Sequence, residues 1–246
     1  MPGYSENFYA AFRGGAATSA EEVVPIIKKL IDPQSVVDVG CGTGTWLSVF
    51  SRYGTDDILG IDGDYVNKEM LEIPESRFRA SDLTQPFEAG RTYDLAVSLE
   101  VAEHLPPSSA AGFVQSLTAL APVVMFSAAI PFQGGTLHLN EQWPEYWAKL
   151  FAAHHYRVVD CIRERIWDNP NVEHWYAQNI LLFVRDSDVQ KYPALVEAMR
   201  DDLPLPLSLV HPRGYAELAG MKGVRLYRAL HRLSMGLMRR MRRWRR

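Results

Sequence analysis

Short, unbroken apolar runs alternate along this chain with longer amphipathic stretches, and that alternation predicts its elements. SVVDVG (35–40) is a β-branched run stopped by glycine, the mark of a buried strand. DILGID (57–62), YDLAVSL (93–99) and APVVMFSAA (121–129) repeat it. RFRASDL (77–83) is a weaker version, and YRVVDCIRE (156–164) and NILLFV (179–184) follow. SAEEVVPIIKKLI (19–31) reads as a helix, with Ser19 as N-cap, Glu22 three residues on and apolar residues at helical spacing. TWLSVFSRYG (45–54), residues 108–120 and EQWPEYWAKLFAAHH (141–155) are further helices. Strands that are apolar throughout and alternate with helices predict an α/β fold, a mostly parallel sheet covered on both faces. The expected organisation is one domain over residues 1–185 and a helical extension over 186–246.

Composition agrees with a packed enzyme or binding protein. Of the 246 residues, 47% are hydrophobic and 22% charged, which excludes a wholly disordered chain. Cys41 and Cys161 fall in core segments, so no disulfide framework is expected. MPGYSENFYAAFRGG lacks the basic-then-apolar order of a signal peptide, and no apolar run approaches the roughly 18 residues of a membrane span. These features predict a cytoplasmic protein. The net charge of −3 conceals an asymmetry: Lys222–Arg246 holds nine Arg, one Lys and no acid, so the rest of the chain carries −13.

VVDVGCGTGTW (36–46) joins a strand to a helix through a glycine turn. Gly40, Gly42 and Gly44 allow the turn and let a ligand approach the backbone beside the N–H groups of the next helix. Asp62 ends the second strand 22 residues beyond Gly40, where dinucleotide folds place a ribose-binding acid. That spacing alone does not separate a dehydrogenase from other nucleoside-binding enzymes. Asp38 does help, because a carboxylate two residues before the turn opposes a pyrophosphate and suits a cationic ligand. The G-x-G-x-G spacing, with Thr45 next, also departs from G-x-G-x-x-G.

D-V-G-C-G-T-G, an acid ending strand two and S-D-L after strand three together resemble the class I S-adenosylmethionine (SAM)-dependent methyltransferases, from about Val24 to Val184. The resemblance implies a Rossmann-like, seven-stranded sheet with its last strand antiparallel. It also implies that Asp38 and the Gly40–Gly44 loop hold the methionine end of SAM, that Asp62 binds both ribose hydroxyls, and that Asp82 and Leu83 face the adenine. Glu100 would flank cofactor and substrate.

SLEVAEHLPPSS (98–109) then raises the question of the methyl acceptor. In a helical turn, Glu100, Glu103 and His104 project from one side. Two carboxylates and an imidazole converging there repel one another unless a cation stands between them, and a hard divalent ion such as Mg²⁺ would supply it. The E-x-x-E-H pattern is similar to the ubiquinone-biosynthesis O-methyltransferases and the small-RNA 3′-terminal 2′-O-methyltransferases, which implies a metal gripping adjacent acceptor oxygens. The RNA enzymes add a histidine from a later loop. Here GGTLHLNEQW (134–143) offers His138, with Glu141 nearby, as a ligand, a general base or neither.

Aromatic residues bear on the acceptor. Tyr146 and Trp147 read as helix core, whereas Trp167, Asp168, Asn169, Asn171, His174 and Trp175 mix rings with polar groups in a strand connection. That mixture suits a saccharide or similar polyhydroxy acceptor, and the bacterial, actinobacterial-type sugar O-methyltransferases are the relatives it resembles. The expected function is therefore SAM-dependent O-methylation of such a hydroxyl, with His138, His104 and Glu141 as catalytic candidates. The alternatives are an RNA 2′-O-methyltransferase, a quinol or catechol O-methyltransferase, and a SAM-fold interaction protein. The acidic body argues against a phosphate-tracking nucleic-acid groove. In the basic tail, Tyr227, Leu230, Leu237, Met241 and Trp244 share one helical side, which suits packing on the chain itself, on a second subunit or on an anionic membrane.

Overall fold

The computed structural model describes residues 6–199 and 206–220, so the basic tail lies outside the described residues. Seven strands are β1 (Ser35–Val39), β2 (Asp57–Asp62), β3 (Phe78–Ala80), β4 (Leu95–Leu99), β5 (Val123–Ser127), β6 (Tyr156–Val159) and β7 (Leu181–Arg185). They form one sheet in the order β3-β2-β1-β4-β5-β7-β6. The first five are parallel, and β7 runs antiparallel between β5 and β6. The Rossmann-like architecture expected from the sequence is the one found.

The unbroken apolar runs are explained by burial on both faces. Val36, Leu95, Val97, Val123, Met125, Leu182 and Val184 face one layer, which includes α1 (Glu6–Leu30), α2 (Thr45–Arg52) and α6 (His174–Asn179). Val37, Val39, Ile61, Ala96, Val124, Phe126 and Phe183 face the other, with α3 (Ala110–Leu120) and α4 (Pro144–Ala152). Phe183 stacks on Phe151 at 3.9 Å between ring centroids. Cys41 and Cys161 are buried free thiols.

The first helix differs from expectation. It begins at Glu6, not at Ser19, and Ser19 is interior to it. The Ser19 hydroxyl donates to the Gly15 carbonyl at 2.6 Å and accepts the Glu173 N–H, so it satisfies backbone groups without capping a terminus. Glu22 instead accepts from the Asn169 and Asn171 amides. β3 shrinks to three residues because it is an edge strand, paired only with β2.

Beyond β7, α7 (Pro193–Ala198) and α8 (Pro212–Gly220) both open on proline, which suits a first helical turn. The preceding segment is tied back to the body. Arg163, on α5 (Arg163–Ile166), donates to the Leu207 carbonyl at 2.7 Å, and the His211 N–H donates to Gln178 at 2.8 Å. No helix among the described residues is long and apolar enough to cross a membrane.

Candidate active site

Strand order reverses between β1 and β4, and the loops leaving their carboxyl ends open a crevice there, the usual ligand site of such a sheet. Gly40, Gly42 and Gly44 have φ of 83°, 54° and 84°, a region glycine enters at little cost. They serve two purposes. A Cβ on Gly40 would stand 2.3 Å from Val101 Cγ2, and one on Gly44 2.8 Å from Ile73, whereas one on Gly42 meets nothing within 4 Å. The first and third glycines let neighbouring loops close in, and the middle one leaves backbone open to the cleft. Replacing Gly40 by alanine should therefore cost about 2–4 kcal/mol, from strain and overpacking together. The corresponding drop of roughly 5–15 °C in Tm is readable by calorimetry.

The cleft beside this loop is lined by Asp38, Thr43, Thr45, Trp46, Leu99 and Tyr176, among others. Burial, reinforced by the nearby Asp62 charge, holds the Asp38 carboxyl well above the usual carboxylate range. An anion held in so dry a place calls for a cationic partner. Glu72 clasps the loop from outside, accepting from Thr43 and Thr45 at 3.2 and 2.7 Å.

Asp62 is already heavily engaged. Its Oδ2 accepts the Gly42 N–H at 2.7 Å, and its Oδ1 accepts the Gly63 N–H and the Tyr65 hydroxyl at 2.6 and 2.7 Å. Burial raises its pKa, and those three bonds oppose the rise. Asp62 thus ties the glycine loop to β2 before any ligand arrives. Asp82 is exposed and accepts from Thr84, which lowers its pKa. Next to it, Leu83 buries its side chain in the sheet core with Ile61 and Phe87, so its backbone is the part open to a ligand.

Glu100 follows β4 in a left-handed conformation, φ 54°, with its N–H donating to Ser127. Amides hold its carboxylate: Gln133 Nε2 donates to Oε2 at 2.9 Å and Asn179 Nδ2 to Oε1 at 3.1 Å. Gln178 donates to both Gln133 and Asn179, which completes a buried polar network. Sequence reasoning missed these three amides. The available signal was the polar pair Gln178–Asn179 standing just ahead of an apolar strand.

The helical turn expected at 100–104 is a 3₁₀ turn over Ala102–His104, and it turns Glu103 inward. Glu103 is 0% exposed, and neither of its carboxylate oxygens has a donor. His104 Nδ1 is likewise buried without a partner. Burial first, and then the charge of Glu100, push the Glu103 pKa well up, while the Glu103 and Ala129 N–H groups approach the carboxyl closely enough to oppose the rise without completing a well-formed hydrogen bond. Burial and the neighbouring His138 lower that of His104, against bonds to the Leu137 and Thr136 backbone. One ligand atom each from Glu103, His104 and His138 lies within 4.8 Å of the others. Glu100, expected to be a fourth member, borders this group, its oxygens turned to the amides.

The loop after β5 delivers His138. The Glu103 carbonyl accepts the Leu139 and Asn140 N–H groups at 2.7 and 2.9 Å, which fixes the loop on the 3₁₀ turn. His138 Nδ1 lies 2.9 Å from Glu141 Oε1, leaving Nε2 for the site. Glu141 accordingly positions His138 and does not itself enter the cluster, a change from its place among the catalytic candidates.

Several of the residues expected to form a sugar platform are engaged within the protein. Asn169 and Asn171 are spent on Glu22, Trp167 packs on His211 at 4.6 Å, and His174 is buried. Trp147 is core, as its helical spacing implied.

Residues 10–161, more than half of the chain, match the family model for a methyltransferase domain. No curated protein matches the chain. Among solved structures, the sugar N-methyltransferase KedS8 from a Streptoalloteichus species is 16% identical, with a TM-score of 0.58 over 75% of this chain and 94% of that one. SAM-bound CalS10, an amino pentose methyltransferase from Micromonospora echinaspora, is 19% identical, with a TM-score of 0.52 over 74% and 98%. The methyltransferase domain of a bacterial Hen1, CtHen1, is 22% identical, with a TM-score of 0.50 over 68% and 98%. At these identities the likeness is one of fold. The family match, the seven-stranded sheet and the glycine loop at its switch point agree, and the chain belongs to the methyltransferase-domain family of SAM-dependent enzymes.

Proposed function

We propose that the enzyme transfers the SAM methyl group to a hydroxyl oxygen that has a second oxygen beside it, as in a saccharide or other polyhydroxy small molecule. A divalent cation held by Glu103, His104 and His138 would assist. The observation that carries this reading is the pair of Glu103 oxygens, fully buried, without donors and grouped with two imidazoles. A buried carboxylate with no donor is costly, and a cation relieves that cost. One carboxylate and two imidazoles form a softer set than Mg²⁺ prefers, so a first-row ion such as Mn²⁺ fits better.

Cofactor binding falls to the cleft along the glycine loop. Asp38 there faces the positively charged methionine end, Asp62 fixes the loop and offers its remaining lone pair to the ribose, and Asp82 lies at the adenine side. Glu100, held by Gln133 and Asn179, separates this cleft from the Glu103 cluster. SAM supplies an electrophilic methyl that passes to the acceptor oxygen as the S–C bond breaks, leaving a neutral thioether. A bound cation would lower the pKa of the acceptor hydroxyl by direct contact. With Nδ1 of His138 turned to Glu141 Oε1, Nε2 would hold the cation, and the proton lost by the acceptor hydroxyl would then pass to solvent water; without a cation, Nε2 would take that proton itself.

A chelator separates the two roles. With labelled SAM and a panel of saccharides and quinols, methyl transfer should disappear in excess chelator and return with Mn²⁺ at lower concentration than with Mg²⁺. SAM affinity should stay unchanged throughout. Full turnover in excess chelator would refute the metal and leave His138 as base.

A further inference from the structure

Eight large hydrophobic side chains are exposed among the described residues, and four of them lie in the twelve positions from Phe132 to Trp143. Phe132 is 78% exposed, Leu139 58%, Leu137 54% and Trp143 41%. This is the loop that carries His138, and direct bonds tie it to the site. The Phe132 N–H donates to Glu141 Oε2 at 2.8 Å while the other oxygen of the same carboxylate holds His138. Leu137 and Leu139 flank His138 in the chain, and the Leu139 N–H is anchored on the Glu103 carbonyl.

Two of the four are held there against backbone preference. Phe132 has φ 67° and Leu137 φ 59°. Bulky residues seldom adopt such angles, and strain of this kind gathers at ligand clamps. Asparagine or glycine would take the same backbone at less cost, without offering an apolar surface. The alternative apolar platform, around Trp167 and Trp175, is consumed by internal packing.

We infer that the Phe132–Trp143 loop is an acceptor subsite, in which these side chains cover a hydrocarbon or aryl group borne by the molecule whose hydroxyl is methylated. The acceptor is therefore amphipathic: an oxygen pair at one end for the Glu103 cluster, and an apolar body at the other for the loop. This rests on the metal-assisted hydroxyl reading above and narrows its substrate class, since a bare sugar would leave the rim uncovered.

The test uses the full chain with S-adenosylhomocysteine and Mn²⁺, titrated with 1,2-diols and matching 1-alkanols of about four, six and eight carbons, alongside 1-phenyl-1,2-ethanediol. Each methylene buried on the rim should tighten binding about two- to fourfold, the upper value being that of complete burial. The phenyl diol distinguishes an aryl from an alkyl preference. Phe132→Asn and Leu137→Asn should flatten the chain-length dependence. Both accept positive φ readily, so Tm should hold or rise and misfolding is not the explanation. Affinity independent of chain length in the wild type, or a dependence that survives both substitutions, overturns the subsite. So does a flat series accompanied by Asn-sensitive sedimentation with phosphatidylcholine vesicles, which would assign the loop to a membrane. Failure of the metal reading looks different: diols and alkanols of equal length would bind alike while the chain-length dependence persisted.

Discussion

Replacing Glu103 by alanine should abolish divalent-cation binding and methyl transfer together, while making the metal-free protein more stable. The two effects share one cause. Glu103 is buried among Ala102, the 3₁₀ turn and the loop that carries His138, with both oxygens undonated. Such a group burdens the metal-free fold, and removing an unsatisfied buried polar group is worth about 1–3 kcal/mol. The gain should be clearest for Glu103→Met, which keeps much of the volume and removes both acceptor oxygens, so that little cavity offsets it. Loss of function at a stabilised site is the expected pattern for residues kept for chemistry. Calorimetric titration with Mn²⁺ should show no binding in either variant, and thermal melts without metal should show a higher Tm for Glu103→Met. A markedly lower Tm for the methionine variant would mean that the carboxyl is structurally satisfied, and the cation reading would lose its support. His138→Ala should weaken metal binding less, because Glu103 and His104 remain.

How far the sequence could be read depended on whether the determining force was local. Strand runs such as SVVDV and LAVSL needed only their own apolar character, and the sheet formed from them as expected. The glycine loop was equally legible, because positive φ and close approach are demands on single residues. Glu103, His104 and His138 were found by residue type and position relative to strand ends, and the fold brings them together. What failed was judgement of long-range satisfaction. Ser19 has the side chain of a cap, yet a helix that starts at Glu6 makes its hydroxyl an internal donor. Asn169 and Asn171 have the look of sugar-binding amides, yet Glu22, some 150 residues earlier in the chain, takes them both. Gln133, Gln178 and Asn179 matter only through Glu100, a relation that a linear pattern does not show. The exposed Phe132–Trp143 rim was hidden by a similar ambiguity, since phenylalanine and leucine ordinarily signal core.

Asp62→Ala should be the most damaging substitution in the cofactor cleft, because it releases the glycine loop as well as a ligand contact. Three donors lose their acceptor: the Gly42 and Gly63 N–H groups and the Tyr65 hydroxyl. With the loop freed, SAM affinity should fall by at least two orders of magnitude, and the fold should lose about 2–4 kcal/mol at neutral pH as donors are left unpaired. The pH dependence of the native protein gives a second check. Burial raises the pKa of both Asp38 and Asp62 above that of an exposed carboxyl. The unfolded chain therefore releases these protons at lower pH than the folded one, so their contribution to stability is complete below the ordinary carboxylate pKa. It is lost as pH rises through the raised values. SAM opposes that loss, since its positive methionine end favours the ionised Asp38. Melting the cofactor-free protein across this range should show Tm declining with pH, and saturating SAM should flatten the decline. Asp38→Asn should make the decline shallower and remove most of its response to SAM while keeping the fold, the rest of the slope coming from Asp62 and Glu103. A flattening by SAM that persists unchanged in Asp38→Asn would take Asp38 out of the cofactor's charge balance.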